Sequence, residues 1–369
     1  MKKLLYITDL DEYKDHSFLG ALFEKYLNSY ISVDSVYFSD FKSDFECKDG
    51  HRFTVPSRYK DTLLTELSAH DVNISSYDYV MVRNDINLMQ QVLKSQSLYG
   101  YKTAFRFSFP KRVVKMRHDK LHKKAHFMHT LTHSFHSKKK STIINKCDFF
   151  LPTSEKMKEA FFPNVHTKTI LCPPGIDPAT LHPNVQHDGE EKRFCYEGTF
   201  DKTREFRTVL DAFKQMRSDK WKLIIATKDV SQAQKLVSLY PELQSKIDIR
   251  RAKNKSDLLD IVAHADIGLA LLPDIPLYNT STPVKILDYY SSAVPCLMTE
   301  GPHVSEIFSD GSDAWLCAFE TNKIQEKIEM LLDLGKEAVA DIGKKGQERL
   351  LEMKNYEDIA KNIALELGA

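Results

Sequence analysis

The sequence predicts an α/β protein made of two Rossmann-like domains, each a parallel sheet covered by helices on both faces. Three observations predict this fold: short apolar runs alternate with amphipathic segments, a segment rich in Pro, Gly, Asp and His interrupts the alternation at Pro173–Glu191, and the same alternation restarts after it. The length of 369 residues suits two domains of about 180 residues each.

The first half contains six candidate strands, each a short run of mostly apolar residues. They are Lys3–Thr8, Val33–Phe38, Tyr79–Arg83, Thr103–Phe107, Phe149–Pro152 and Thr169–Cys172. Helical patterns lie between several of these strands, at Leu19–Leu27 and Leu88–Ser95. Strands separated by helices at this spacing favour a parallel sheet.

The second half repeats the pattern and ends in helix. Its candidate strands are Arg193–Glu197, Lys222–Ala226, Ile247–Arg250, Ile267–Leu272, Pro295–Met298 and Trp315–Ala318. Its candidate helices are Arg204–Met216, Ser231–Leu239, Ser256–Ala265, Val284–Ser292 and Ile324–Leu332, and Lys336–Leu367 is helical almost throughout. Ligands bind outside the carboxyl ends of such strands, so we expect a site in the cleft between the domains.

Composition excludes several classes of protein. Apolar residues make up 42% of the chain and charged residues 28%, which fits neither a disordered nor a membrane-spanning protein. A net charge of +1 gives no overall field that favours nucleic acid. The apolar run Leu4–Thr8 is too short for a signal peptide, and the six cysteines contain no C-x-x-C pair. We therefore expect a cytoplasmic protein with reduced, buried thiols.

Four segments resemble glycosyltransferase family 4, the glycosyl transferases group 1, of the GT-B enzymes. Tyr278–Pro295 (YNTSTPVKILDYYSSAVP) is the most specific, being similar to the signature S-x-P-x-K-x-x-E-Y-x-x-x-x-x-P. The other three are Cys172–Pro183, Tyr196–Phe213 and Thr299–Phe308. The resemblance implies a retaining glycosyltransferase with an acceptor-binding domain at residues 1–175 and a nucleotide-sugar-binding domain at 176–352. It also implies a C-terminal helix, at 353–369, that crosses back onto the first domain.

The resemblance places the donor diphosphate at a glycine loop that opens a helix. This loop contains Gly198 and Thr199, and Thr199 stands where the family usually has an arginine. The cation must then come from Lys202, Arg204 or Arg207, of which Arg204 is the preferred candidate. A helix amino terminus together with a cation suits a phosphate.

The signature segment implies further donor contacts. Thr280, Ser281, Thr282 and Pro283 would form the loop that leads into a helix, and Lys285 in its first turn would add a second catalytic cation. Asp288 takes the place of the family glutamate that accepts hydrogen bonds from the ribose. Many relatives have another acid at the position of Thr280, so the first acid of that pair is absent here.

The fourth segment implies that Gly301 approaches the nucleotide and that Glu306 lies near the ribose or donor hydroxyls. The rival interpretation is a helix cap, with Ser305 or Glu306 in the first turn. We expect no metal and no cofactor, because the family uses none and the nearest match to a D-x-D motif, Asp9-Leu10-Asp11, lies directly after the first strand. Uridine diphosphate is the expected carrier.

The acceptor side is predicted from weaker signals. Relatives often have a histidine at the end of the fourth strand, where this chain reads FRFSFP, so Arg106 and Ser108 are the candidate replacements, and Arg83 is a further residue expected to face the cleft. Lys115 and His118 are further candidates from Lys111–Lys140, which contains ten Lys or Arg and six histidines at helical spacing.

This basic segment has three interpretations. It contacts an anionic lipid-linked acceptor or the anionic inner leaflet, it is a solvated helix packed on the sheet, or its histidines, such as His122 with His126, bind a metal. Nucleic acid is not expected, since no aromatic stacking module accompanies the cations. The competing functions are a non-catalytic sugar-nucleotide or glycan-binding subunit, a sugar-nucleotide epimerase and a phosphorylase. The oligomeric state is not predicted.

Overall fold

The computed structural model describes residues 1–10, 19–108, 139–185 and 187–369. The chain divides into two compact units. Among the described residues, the first unit combines the chain up to Pro173 with Tyr356–Ala369, and the second is Pro174–Asn355. Each unit is built on a largely parallel sheet, as the sequence predicts. No helix in these ranges is both long and apolar enough to cross a membrane.

The first sheet has eight described strands in the order β3-β4-β2-β1-β5-β6-β7-β8. In chain order they are Lys3–Ile7, Ser32–Ser39, Glu46–Lys48, Arg52–Pro56, Tyr79–Arg83, Lys102–Phe107, Phe149–Pro152 and Lys168–Thr169. Only the β3–β4 pair is antiparallel among these strands. The strand order reverses its direction between β1 and β5, which neighbour each other at the centre of the sheet.

The first sheet departs from the predicted strands at two places. Strands β3 and β4 form a hairpin around the dipeptide Asp49-Gly50 that the sequence analysis did not predict. The predicted strand Thr169–Cys172 is shorter, although the backbone N–H groups of Ile170 and Cys172 still donate to the carbonyls of Phe150 and Pro152 at 2.9 Å. The strand β8 therefore ends at Thr169, although the chain continues alongside β7 as far as Cys172.

Helices cover the first sheet on both faces. They are a π-helix at Leu19–Tyr26 and α-helices at Leu63–Ala69, Ile86–Tyr99, Glu155–Phe161 and Tyr356–Leu367. One apolar cluster joins Leu22, Phe23 and Leu27 to Ile363 and Leu367 of the last helix. The hydroxyl of Tyr79 donates to the carbonyl of Leu367 at 2.5 Å, which fixes the end of that helix to the sheet.

The second sheet has the strand order β11-β10-β9-β12-β13-β14, with all neighbouring pairs parallel. These strands are Lys192–Glu197, Trp221–Thr227, Ile247–Arg251, Ile267–Ala270, Cys296–Thr299 and Trp315–Cys317, taken from β9 to β14. Its α-helices are Arg207–Lys214, Val230–Val237, Lys255–Ala263, Pro276–Asn279, Val284–Ser291, Thr321–Leu332 and Lys336–Lys354. This is the 3-2-1-4-5-6 order of a doubly wound sheet, and the direction of winding reverses between β9 and β12.

Helix Val284–Ser291 is held unusually close to the second sheet. A Cβ added at Gly268 of β12 would lie 2.4 Å from the ring of Tyr289, so only glycine admits this ring. The Tyr289 hydroxyl donates to the carbonyl of Cys195 at 2.9 Å and accepts from the backbone N–H of Glu197 at 2.9 Å. The tyrosine therefore fixes the position of this helix, and of its polar residues, relative to the end of β9.

Candidate active site

The candidate site lies at the carboxyl ends of β9 and β12, where the second sheet reverses its direction of winding. Helices leave the two strands toward opposite faces at such a point, and the crevice between them is the usual ligand site of this fold. Gly198 follows β9 directly and has φ of 132°, a conformation that L side chains rarely adopt. Two cations approach this glycine.

The first cation is Arg204, at the end of the short helix Lys202–Arg204. Asp201 caps this helix by accepting from the backbone N–H of Thr203 at 3.1 Å, and Thr199 donates its hydroxyl to Asp201 at 3.0 Å. Arg204 Nε also donates to Asp201 at 2.9 Å. A Cβ added at Gly198 would lie 3.7 Å from Arg204 Nη1. Lys202 and Arg207, the other two candidates, are exposed.

The second cation is Lys285, in the first turn of helix Val284–Ser291, which Pro283 precedes. Its side chain is buried, and Nζ has no hydrogen-bond partner among the described residues. The ammonium lies 3.9 Å from the centroid of the Tyr196 ring. Burial first, and then the charge of Arg204, lower the pKa of Lys285 to about 7. A buried ammonium that no described residue hydrogen-bonds, close to a second cation and to a helix start, is chemically suited to a phosphate.

A buried acidic pair lies on the same helix. Asp288 is 4% exposed and accepts a hydrogen bond from Lys255, the first residue of helix Lys255–Ala263. Glu197, the last residue of β9, hydrogen-bonds Asp288. Burial first, and then the charge of Asp288, hold the pKa of Glu197 well above its ordinary value. Neither Glu197 nor Lys255 was predicted from the sequence. A signal for Glu197 was present, since it is an acid at the carboxyl end of a central strand.

The loop before helix Val284–Ser291 contains the predicted hydroxyl residues. The Thr280 hydroxyl donates to the carbonyl of Pro276 at 2.7 Å, and the Thr282 hydroxyl hydrogen-bonds His303 Nε2 at 3.0 Å. Ser281 lies between them and is half-buried. His303 was not among the predicted site residues. It connects this loop to the fourth sequence segment.

Gly301 and Glu306 lie in the turns that follow β13. Gly301 lines an open depression of about 610 Å³, together with Pro273, Asp274, Ser305 and Phe319. Glu306 is exposed within turn 302–307, so no regular helix begins there. The residues that line the depression do not include Arg204, Lys285 or Asp288. The depression is open to solvent, whereas the side chains of Lys285 and Asp288 are buried.

In the first unit, the predicted acceptor residues separate into two groups. Arg83 Nε donates to the hydroxyl of Ser108 at 2.9 Å, and its Nη1 lies 3.0 Å from Asp9 Oδ1. Arg106 is fully buried and donates from Nη1 to the Tyr6 hydroxyl at 2.7 Å. Arg83 and Ser108 therefore meet near the ends of β1, β5 and β6, whereas Arg106 lies within the core.

Two further polar residues complete the Arg83 cluster. Asn84 accepts from the backbone N–H of Ser108 at 3.0 Å, and Asp9 follows β1. Lys115, His118 and the other histidines of Lys111–Lys140 lie outside the described residues, and of that segment only Lys139 and Lys140 are described. Within the described ranges, no group of three or more His, Cys, Asp or Glu is placed to bind a metal ion. Metal independence stays a prediction.

The family model for glycosyl transferases group 1 matches residues 191–334, which include Gly198, Arg204, Lys285 and Asp288. The second unit contains a glycosyl transferases group 1 domain. The resemblance predicted from the sequence is confirmed over these residues, and the group 1 domain supports a nucleotide-sugar glycosyltransferase. A search of curated proteins finds no match.

Solved structures confirm the GT-B fold over the whole chain. HepE of Anabaena, in complex with UDP and glucose, superposes with a TM-score of 0.71 at 11% identity, over 100% of this chain and 99% of that chain. Sucrose-phosphate synthase of Thermosynechococcus elongatus gives 0.74 at 14% identity, over 99% and 98%. The lipopolysaccharide outer core galactosyltransferase WaaB gives 0.65 at 14% identity, over 99% of both chains. These identities are low, so the likeness establishes the fold.

Proposed function

We propose that this protein is a retaining glycosyltransferase that moves a hexose from a UDP-linked donor to a glycan, lipid-linked or polysaccharide acceptor without a metal ion. The observation that supports this most directly is the buried ammonium of Lys285, which no described residue hydrogen-bonds and which lies near Arg204. Burying a cation is costly unless an anion compensates it. The diphosphate of a nucleotide sugar supplies that anion at this position of the fold.

The proposed reaction breaks the bond between the anomeric carbon and the diphosphate oxygen. Negative charge grows on the leaving diphosphate, where Arg204 and Lys285 stabilise it more strongly than in the ground state. The acceptor hydroxyl bonds to the anomeric carbon on the face that the diphosphate leaves. Its proton passes to the leaving phosphate oxygen, so the configuration is retained and the protein supplies no base.

The remaining donor contacts are proposed from the sequence motifs together with the described geometry. Thr280, Ser281 and Thr282 border the start of helix Val284–Ser291, where backbone N–H groups and hydroxyls suit a diphosphate and a sugar. Asp288 is the proposed acceptor of ribose hydrogen bonds, with Gly301 and Glu306 on the nucleotide side. The complex of HepE with UDP and glucose supports uridine diphosphate as the carrier.

The acceptor is proposed to meet the first unit at Arg83 and Ser108, which lie near the ends of central strands. Lys115, His118 and the rest of Lys111–Lys140 would add cations that attract an anionic lipid-linked acceptor. The same segment would hold the protein at the inner face of a membrane by attraction to anionic lipids. This places the proposed reaction on the cytoplasmic side.

A thermal-shift screen against nucleoside diphosphates and their sugars tests the donor, first with EDTA and then with magnesium. A ligand that binds only the folded state raises the melting temperature by mass action. We expect uridine diphosphate to do so in EDTA, and a shift that appears only with magnesium would contradict metal independence. Transfer to candidate acceptors, followed by NMR of the product anomer, then tests retention.

One observation favours a second candidate, a non-catalytic sugar-nucleotide-binding subunit. Thr280 stands where many relatives have an acid, and its hydroxyl is bonded to the Pro276 carbonyl. Such a subunit would bind the nucleotide sugar but would neither transfer nor hydrolyse it. Donor turnover in the presence of acceptor extracts distinguishes the two, since transfer of labelled sugar occurs only with the enzyme.

A further inference from the structure

Glu197 is the one buried carboxyl of the candidate site that neither the motifs nor the resemblance assigns. It ends β9, is 7% exposed, and its backbone N–H is fixed by the Tyr289 hydroxyl at 2.9 Å. One oxygen, Oε2, has no hydrogen-bond partner among the described residues. A buried oxygen without a partner costs stability, and the carboxyl lies next to Asp288, the proposed ribose contact.

The contact between the two carboxyls determines where a proton lies. Two carboxylates cannot hydrogen-bond each other unless one of them carries a proton, because both are acceptors only when ionised. Asp288 also accepts a hydrogen bond from the ammonium of Lys255, whereas no described residue donates to Glu197 Oε2. The proton therefore belongs on Glu197, whose hydroxyl donates to Asp288.

The groups around Glu197 come from four elements. They are Cys195 on its own strand, Lys285, Asp288 and Tyr289 on helix Val284–Ser291, Lys255 at the start of helix Lys255–Ala263, and Cys296 on β13. Of these, Lys255 and Lys285 favour an ionised Glu197, whereas burial and Asp288 oppose it, and burial is the largest effect.

We propose that Glu197 is a positioning residue whose carboxyl keeps its proton and donates a hydrogen bond to Asp288. This hydrogen bond orients Asp288 to accept hydrogen bonds from the ribose hydroxyls. The inference rests on the proposed function, because it assigns a partner to the ribose contact of the same donor site. Asp288 is one methylene shorter than the family glutamate. Hydrogen bonds with Glu197 and with Lys255 together fix this shorter carboxylate, leaving it little freedom to rotate.

Two substitutions separate positioning from simple packing. Glu197→Gln keeps the shape and a hydrogen-bond donor toward Asp288, and it cannot ionise. Glu197→Leu keeps a similar volume but removes the donor. Orientation of Asp288 should be lost in the leucine variant and restored in the glutamine variant.

The test is calorimetric titration of the full chain with UDP and with its analogue lacking both ribose hydroxyls, with the guanosine pair in parallel, between pH ~6 and pH ~9. The measured quantity is the ratio of the two affinities. Protonation of Lys285 and of the phosphates affects both ligands of a pair equally and cancels in this ratio. We expect the parent protein to prefer the hydroxylated nucleotide about tenfold near neutral pH.

We expect the leucine variant to lose this preference and still bind the analogue, whereas the glutamine variant retains the preference. At high pH, Glu197 of the parent ionises and repels Asp288, so the parent loses its preference while the glutamine variant does not. The inference is overturned if the leucine variant keeps the preference, or if the glutamine variant loses it. If the parent protein binds neither the uridine nor the guanosine ligands, the proposed function is overturned as well.

Discussion

Lys285 and Arg204 approach the same glycine, since a Cβ added at Gly198 would lie 3.7 Å from Lys285 Nζ and 3.7 Å from Arg204 Nη1. Arg204 is oriented by Asp201, whereas no described residue hydrogen-bonds the Lys285 ammonium. The protein therefore maintains an electrostatic cost in its ligand-free form, and a bound diphosphate would remove it. Four predictions follow from this arrangement.

Replacing Lys285 by Met should stabilise the ligand-free protein and abolish nucleotide binding. Replacing even paired buried charges by apolar side chains is often neutral or stabilising, by up to about 4 kcal/mol, and a buried cation without an anion is costlier still. The pKa of Lys285 is about 7, below its ordinary 10.5. The stability that is lost by burying the Lys285 ammonium is therefore lost in full below pH 7, and the loss disappears as the pH rises toward 10.5. The gain in melting temperature on replacing Lys285 by Met should thus be largest at low pH.

Lys354→Met is the matched control. Burial alone lowers the pKa of Lys354 to about 8, and Lys354 ends helix Lys336–Lys354 and is not one of the proposed nucleotide contacts. This variant should also raise the melting temperature near neutral pH but leave the UDP-induced shift intact. If Lys285→Met still showed the full shift with UDP, Lys285 would not be a diphosphate ligand.

The affinity for a nucleotide sugar should fall as the pH rises above about 7, because the ammonium of Lys285 is then increasingly lost in the free protein. The decrease can reach about tenfold for each pH unit until the pKa of the complex is passed. A nucleotide sugar is the suitable ligand, since its diphosphate is esterified at both ends and does not titrate in this range. The measurement is a series of dissociation constants, and an affinity that is flat through neutral pH would contradict the prediction.

Replacing Arg204 by Ala should reduce kcat by about 10²–10³, the range for removing one group that stabilises a developing oxyanion. Lys202→Ala and Arg207→Ala are the controls, since both side chains are exposed neighbours with the same charge. We expect them to stay within about twofold of the parent. Initial rates of donor consumption with saturating acceptor measure the effect, and equal losses in all three variants would show a diffuse electrostatic contribution.

Replacing Gly198 by Ala should weaken nucleotide binding as well as stability. The backbone strain at φ of 132° costs about 1–3 kcal/mol, and the new methyl would stand between the two cations. Gly311→Ala is the matched control, because Gly311 also has positive φ, at 75°, but an added Cβ meets nothing within 4 Å. Both variants should melt earlier, while only Gly198→Ala should lose affinity for UDP. A parent-like affinity in Gly198→Ala would place the diphosphate elsewhere.

Much of the fold was predictable from the sequence because its strands are short apolar runs bounded by turn residues. Predicted strand Tyr79–Arg83 matches the observed strand residue for residue, and Arg193–Glu197 differs by one residue. The β3–β4 hairpin was missed because its strands are short and β3 is exposed, so neither shows a clear apolar run. The dipeptide Asp49-Gly50 between them is a turn signal that would have indicated it.

The candidate site was predictable only where its residues lie within one continuous motif. Lys285 and Asp288 come from a single helix turn, whose spacing is visible in the sequence. Glu197 and Lys255 meet Asp288 only through the register of β9 and the packing of helices on the sheet. Nothing in the sequence near Glu197 or Lys255 indicates that these residues contact Asp288. The functional role of each of these residues stays a prediction.

The last helix has a consequence for how the protein is made. Ile363 and Leu367 complete an apolar cluster with Leu22 and Phe23, so the first unit needs residues from near both ends of the chain. A ribosome releases the amino-terminal part first, and domains generally fold as units when their residues have emerged. The second unit can therefore fold before the first is complete. Until the last helix has emerged, Leu22 and Phe23 lack the side chains that cover them. The second unit of the nascent protein would complete its fold before the first, and a chaperone would bind the apolar surface around Leu22 and Phe23, which is translated earlier than its partner helix.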